Sequence, residues 1–353
     1  MKGSIDLVKI VGIDIKIHVT FLLLPALFAM THGLKGIVFI LCVFFCVALH
    51  ELSHSLQARR YGTQVESIML LPIGGIASMR DMPHTPKQEF LISISGPLFN
   101  FAVGAILFFP MLIVLGRDTM YHPSLATWPQ TFAYIFWINP WLGVFNMLPA
   151  FPMDGGRVLR SVLAERMDYL KATKIAVSFG HGFALFFALT GIFANPPNFI
   201  LLIIALFIYM AASQEELKVD LQMTLKNFTV SQVLPKEFLT TQPTTTIGEI
   251  LEMALYAHQE DFPVVENGVL VGFLDRSHFI SSIREGNLAV SVGGIMRKDF
   301  PVAQPYEMLT AAYHKMEAAG LKSLPVVQEG SLRGVISLED ISRVYTILSG
   351  KKA

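Results

Sequence analysis

Two imidazoles and a carboxylate fall within five consecutive residues, His50-Glu51-Leu52-Ser53-His54. On a helix, positions four apart share a face, so both rings can hold one metal ion, with Glu51 beside them. A catalytic zinc takes three protein ligands and keeps one position for water. The candidate third ligand is Asp154, the only carboxylate between Asp118 and Glu165, which follows the run Asn146-Met-Leu-Pro-Ala-Phe-Pro-Met. Pro149 and Pro152 before it, with Gly155 and Gly156 after it, predict that no helix passes through this point. Irregular backbone at membrane depth is tolerated where protein or a wet cavity covers it, which is where a ligand is wanted.

The elements that must position these residues are apolar. The 353 residues are 53% hydrophobic and 15% charged, and the mean hydropathy is +0.53, too apolar for an ordinary soluble chain. Residues 1–213 carry 24 charged side chains and residues 214–353 carry 30, so the two parts are expected to sit in different solvents. Stretches of spanning length, about 17–25 residues, are drawn near 17–33, 35–55, 90–116, 132–150, 175–194 and 198–213. Ile37 through Leu49 is uninterrupted apolar sequence ending on His50, and ionisable residues in such a setting are costly and usually functional.

Six spans give a multi-pass α-helical membrane domain. With the N-terminus inside, the inner segments hold Lys2, Lys9, Lys16, Arg59, Arg60, Arg80, Lys87, Arg157, Arg160, Arg166, Lys171 and Lys174, while the outer loops hold only Lys35 and Arg117. This satisfies the positive-inside rule and places both the N-terminus and the C-terminal tail in the cytoplasm of a cell-membrane protein. No cleavable signal peptide is expected. Cys42 and Cys46 read as packing residues within an apolar run. His18 and His181 read as hydrogen-bonded to neighbouring helices, and His32, His84 and His122 as loop residues. A net charge of +0 argues against a nucleic-acid partner, which needs a basic surface.

The tail contains a repeat at an offset of 62 residues. Val230-Ser-Gln-Val-Leu-Pro-Lys-Glu-Phe aligns with Val292-Gly-Gly-Ile-Met-Arg-Lys-Asp-Phe, and Pro263-Val-Val with Pro325-Val-Val. Each copy predicts a helix (Ile247 to His258; Met308 to Ala319), a strand, a turn (Asn267-Gly268; Glu329-Gly330), a second strand and a second helix. The result is a pair of soluble α+β modules, about 225–285 and 287–347, within a tail domain of residues 216–353 that follows the membrane domain of residues 1–215.

The membrane half resembles the site-2 protease family of intramembrane metalloproteases. The resemblance rests on the His50–His54 motif, on Asn146 through Gly156 as a variant of the family's N-P-x-D-G motif, and on Gly96-Pro97-Leu-Phe-Asn100. It implies an endopeptidase that cleaves transmembrane segments of membrane proteins, with one Zn2+ on His50, His54 and Asp154 and with Glu51 as the general base. Asn146 or Asn100 would contact the oxyanion or the substrate strand. Leu70 through Ala77 reads as a membrane-associated strand or hairpin able to pair with an unwound substrate.

The tail resembles a CBS domain pair, which implies ATP, ADP or AMP between the copies, with Ser337 and Asp340 of Gly334-Val-Ile-Ser337-Leu-Glu-Asp340 on the ribose and a homodimer as a further expectation. The first copy departs, with Asp275 and His278 at the equivalent places. Two rival readings are a transporter regulated by the same pair and a metal-binding pseudoprotease adaptor. The transporter predicts two related broken-helix halves, absent from residues 1–213. The intact Glu51 argues against the adaptor.

Overall fold

The computed structural model describes residues 3–72, 74–79, 85–256 and 259–350. The chain divides into two units at Leu217/Lys218.

The first unit opens with a hairpin of β1 (Ser4–Ile10) and β2 (Ile13–His18) that hydropathy alone did not reveal. A short 3-10 turn leads into α1 (Leu23–Arg60), which breaks at Gly33, where φ is 60° and ψ is −143°. Only glycine adopts that conformation cheaply, and the break separates the first two predicted spans. Beyond it, a Cβ at Gly36 would lie 2.3 Å from the carbonyl oxygen of Phe28, so the second half of α1 packs directly against the first.

After α1 come β3 (Val65–Leu71) and β4 (Gly74–Met79), the hairpin expected around Leu70 to Ala77. The sheet order is β1-β2-β3-β4, with β2 and β3 parallel and the other pairs antiparallel. Ile13, Ile68 and Leu70 of the sheet pack with Phe39, Phe44, Ala48 and Leu52 of α1, so the sheet lies beside the helix carrying the histidines.

The remaining helices are α2 (Pro86–Leu115), α3 (Arg117–Tyr121), α4 (Trp128–Asn146), α5 (Asp154–Ala164), α6 (Tyr169–Phe193) and α7 (Phe199–Leu225). Among the described residues, Val19–Arg60, Pro86–Leu115, Tyr169–Phe193 and Phe199–Leu225 are long and apolar enough to cross a membrane. Their outward surfaces carry exposed residues such as Ile106, Phe109, Ile113 and Phe193, an arrangement that suits lipid rather than water. α2 packs against α1, α4 and α5.

Two expectations need correction. Gly155 and Gly156 do not break a helix: α5 begins on Asp154 and runs through both. A Cβ on Gly155 would fall 2.2 Å from the Leu148 carbonyl oxygen, and one on Gly156 would fall 2.6 Å from Ala150 backbone, so their bareness lets the helix start close against the 147–153 loop. His32 lies inside α1 rather than in a loop. His84 and His258 fall outside the described residues.

The second unit repeats one plan twice. The first copy holds α8 (Val230–Val233), α9 (Ile247–Tyr256), β5 (Phe262–Glu266), β6 (Val269–Leu274) and α10 (Arg276–Arg284). The second holds α11 (Leu309–Ala319), β7 (Ser323–Gln328), β8 (Ser331–Ser337) and α12 (Leu338–Gly350). Phe262 faces Leu274 in one hairpin as Leu324 faces Ile336 in the other, and the register shifts after Val264 and after Val326. Positive φ at Asn267-Gly268 and Glu329-Gly330 gives both the same tight turn. The sequence repeat is thus a structural repeat, bulge for bulge.

Candidate metal centre

α1 continues beyond its apolar run through His50 and His54, both buried, and helical spacing turns their rings to one side. Asp154 reaches the same point from the first residue of α5. His50 Nε2 and His54 Nε2 stand 3.1 Å apart, and Asp154 Oδ2 lies 3.1 Å from the first and 3.0 Å from the second. Ligand atoms on a tetrahedral zinc with bonds of about 2.0–2.1 Å stand about 3.3 Å from one another, so the triangle fits that ion.

The groups behind the rings decide their tautomers. His54 Nδ1 lies 2.7 Å from the Ile92 carbonyl oxygen, which can only accept, so Nδ1 carries the proton and Nε2 offers a lone pair. His50 Nδ1 donates to Asn100 Oδ1 at 3.2 Å, with the same result for its Nε2. Asn100 is fully buried, and its Nδ2 donates to the Asn139 carbonyl oxygen at 3.3 Å. Two bare nitrogens and a carboxylate oxygen aimed at one point form a donor set that a cation satisfies.

Space for an ion depends on Gly96 of α2. A Cβ there would lie 2.3 Å from His54 Nε2 and 2.7 Å from His50 Nε2, so any side chain would push the imidazoles aside. Glu51 sits between the histidines in sequence and packs against β4, where a Cβ on Gly75 would come within 2.5 Å of its Cγ. The extended backbone of β4 therefore passes directly beside the proposed base.

Of the two asparagines, Asn100 stands behind His50. Asn146, at the end of α4, donates from Nδ2 to the Leu142 carbonyl oxygen at 3.0 Å. The sequence reading missed Ile92 and Gly96. Ile92 acts through its carbonyl oxygen, which every residue has, and only Gly96, within the Gly96-Pro97 motif, was open to notice. His181 Nε2 meets Ser213 Oγ at 3.0 Å across α6 and α7, as expected of a packing histidine. His18 bonds instead within its own turn, to Thr20 at 2.8 Å. Cys42 and Cys46 are free.

In the tail, Ser337 and Asp340 satisfy each other across the first turn of α12. Ser337 Oγ and the Ser337 backbone N–H both donate to Asp340 Oδ2, at 2.6 and 3.0 Å, and the Asp340 N–H donates back to Ser337 Oγ at 3.1 Å. At the equivalent place in the first copy, Asp275 is held by His278 Nδ1 at 2.8 Å and by Arg297 Nε at 2.8 Å. Burial alone would raise the pKa of Asp275, but hydrogen bonds from Ser277 and His278 outweigh it and hold the carboxyl below its ordinary value.

The sequence model of peptidase family M50 matches residues 38–122 and 119–189, and that of the CBS domain matches residues 230–285 and 292–346. The chain is 36% identical to zinc metalloprotease MJ0392 of Methanocaldococcus jannaschii, over 100% of this chain and 99% of that protein. It is 26% identical to stage IV sporulation protein FB of Bacillus subtilis, over 58% of this chain and 67% of that one. A solved site-2 protease from Methanocaldococcus jannaschii is 39% identical, covers 60% of this chain and 95% of its own, and superposes with a TM-score of 0.46.

Proposed function

The chain belongs to peptidase family M50, the site-2 type of membrane zinc metalloprotease, and from that premise we propose that it cleaves the transmembrane segments of other membrane proteins. The observation that carries this reading is the meeting of His50 and His54, on a helix apolar enough to span a bilayer, with Asp154 at the start of α5. A peptide bond inside lipid is reached only by an enzyme whose own chemistry is held at that depth.

When bound, zinc lowers the pKa of a water and polarises the scissile carbonyl. His50 and His54 would hold the ion through Nε2, because Asn100 and Ile92 occupy their Nδ1 protons. Glu51 accepts a proton from the attacking water and later passes it to the leaving amide nitrogen, so that peptide and water become a carboxylate and an amine. Asn146 is assigned to the oxyanion or to the substrate strand, and Asn100 to orienting His50. A substrate segment must unwind to be attacked. β4 is an edge strand running beside Glu51, so an unwound segment paired along it would pass the base in extended form.

We place this membrane domain at residues 1–215 and the regulatory tail at 216–353, with both the N-terminus and the tail in the cytoplasm. Adenine nucleotide at Ser337 and Asp340 is the tail's proposed ligand, supported by the Gly334–Asp340 pattern. The first copy carries Asp275 and His278 in place of Ser337 and Asp340, so one site per chain is expected.

The test is co-expression with single-span membrane proteins, comparing native chain with Glu51→Gln. Cleavage by the native chain alone, with about one zinc per chain in both, supports the reading. Equal cleavage by Glu51→Gln overturns it. For the tail, ATP or AMP should raise the melting temperature of the full-length protein, and Asp340→Ala should abolish that rise.

A further inference from the structure

Arg160 was counted above among the inner-surface cations, yet the structure buries it almost completely, at 2% exposure. Its Nε donates to Glu89 Oε1 at 2.8 Å, and Nη2 donates to the same oxygen. Nη1 donates to Glu215 Oε1 at 2.8 Å. The guanidinium carbon lies 4.8 Å from the centre of the Phe151 ring and 4.9 Å from that of Tyr169. Arginine suits this box because a planar, permanently charged fork can pair with two carboxylates and stack on rings at once.

Glu89, one of the two carboxylates it grips, lies on the helix that carries Ile92, Gly96 and Asn100. Glu89, Ile92, Gly96 and Asn100 follow one another at spacings of three, four and four along α2, so they form a single buried stripe. That stripe holds Arg160 at one end. Further along, it receives His54 at the Ile92 carbonyl, clears the imidazoles at Gly96 and receives His50 at Asn100. Arg160 lies six residues beyond Asp154 on α5, or about 9 Å of helix, against about 10.5 Å from Glu89 to Gly96 on α2. The matched spans lay α5 along α2 so that gripping Glu89 brings Asp154 opposite the imidazoles. Phe151, which covers the guanidinium, belongs to the loop that delivers Asp154, and its carbonyl oxygen is packed against Gly180 of α6.

We propose that Arg160 is a positioning residue for the metal: by gripping Glu89 and Glu215 between the rings of Phe151 and Tyr169, it fixes α5 so that Asp154 completes the triangle with His50 and His54. The proposal rests on the metal reading above. Glu215 lies on α7, so the clamp ties α5 to α7 as well as to α2.

The experiment uses full-length protein in detergent and reads zinc affinity by chelator competition, the ligand-field spectrum of the cobalt-loaded site, and thermal melting without metal. Arg160→Lys keeps the charge but cannot span both carboxylates and both rings. It should weaken zinc about 10-fold, the lower end of what outer partners of metal ligands are worth, and shift the cobalt bands. Ile208→Ala, a core truncation on α7 away from the clamp, should lower the metal-free melting temperature and leave zinc affinity and the cobalt spectrum unchanged. Glu215→Gln leaves Arg160 on Glu89 and should weaken zinc by a smaller factor, and it carries the test if Arg160→Lys does not fold. Native affinity in both Arg160→Lys and Glu215→Gln, or an equal loss in Ile208→Ala, overturns the proposal. A native chain that binds no zinc overturns the metal reading instead.

Discussion

An arginine in each unit makes an ion pair with a glutamate, and the two pairs live under different physics. Arg160 and Glu89 have side chains only 3% and 5% exposed. Arg276 and Glu260 of the tail are 41% and 47% exposed. In water the attraction between exposed charges is screened and the side chains lose freedom by pairing, so the second pair contributes little. In a buried site each unpaired charge costs several kcal/mol, so the first arrangement holds together or fails together. The same contrast orders the rest of the molecule. The first unit turns apolar residues such as Ile106 and Phe193 outward and keeps its chemistry inside, whereas the tail gathers its apolar residues into two buried cores.

That contrast is open to breakage. The largest effect is expected for Asp154→Ala, which removes a ligand and should weaken zinc more than the ~10–100-fold assigned to outer-shell partners; unchanged metal content in the purified variant would remove Asp154 from the site. Next comes Gly96→Ala. One methyl carbon placed 2.3 Å from His54 Nε2 should displace the imidazole and cost about 10–100-fold in zinc affinity, while metal-free thermal stability changes less. A variant with native zinc affinity would show that the imidazoles have room to shift.

The tail supplies the smaller effects. Asp275 has its folded-state pKa held below the ordinary aspartate value, so its stabilisation is complete above the unfolded pKa and is lost as pH falls through the folded one. Asp275→Asn should therefore cost about 1–3 kcal/mol near neutrality, the worth of a hydrogen bond to a charged group. The cost should shrink toward zero in acid, which parallel denaturant titrations at the two pH extremes would reveal. Arg276→Met should change stability by less than about 1 kcal/mol, and less still in high salt. A loss as large as that from a buried pair would erase the distinction drawn here.

Much of this was legible in the residues. The His50–His54 spacing and the lone Asp154 marked the metal-site candidates, and the 62-residue offset marked two copies of one module. The hairpin near Leu70 was also readable, because Leu-Pro and Gly-Gly punctuate it. The N-terminal hairpin was not, since β1 and β2 are short and lie beside an apolar run that dominates any hydropathy reading. Gly155 and Gly156 misled because glycine disfavours a helix interior through entropy, a cost that close packing against the 147–153 loop outweighs.

The sequence by itself determined which solvent each half occupies, where the chain repeats and which side chains can bind a metal, because those properties follow from residue type and short-range spacing. Only the tertiary structure decided that Arg160 is an interior clamp rather than a surface cation, that Asn100 stands behind His50, and that Ile92 contributes a carbonyl. Each of these depends on helices far apart in sequence meeting at one place, and the burial that gives such contacts their energy exists only once they have met.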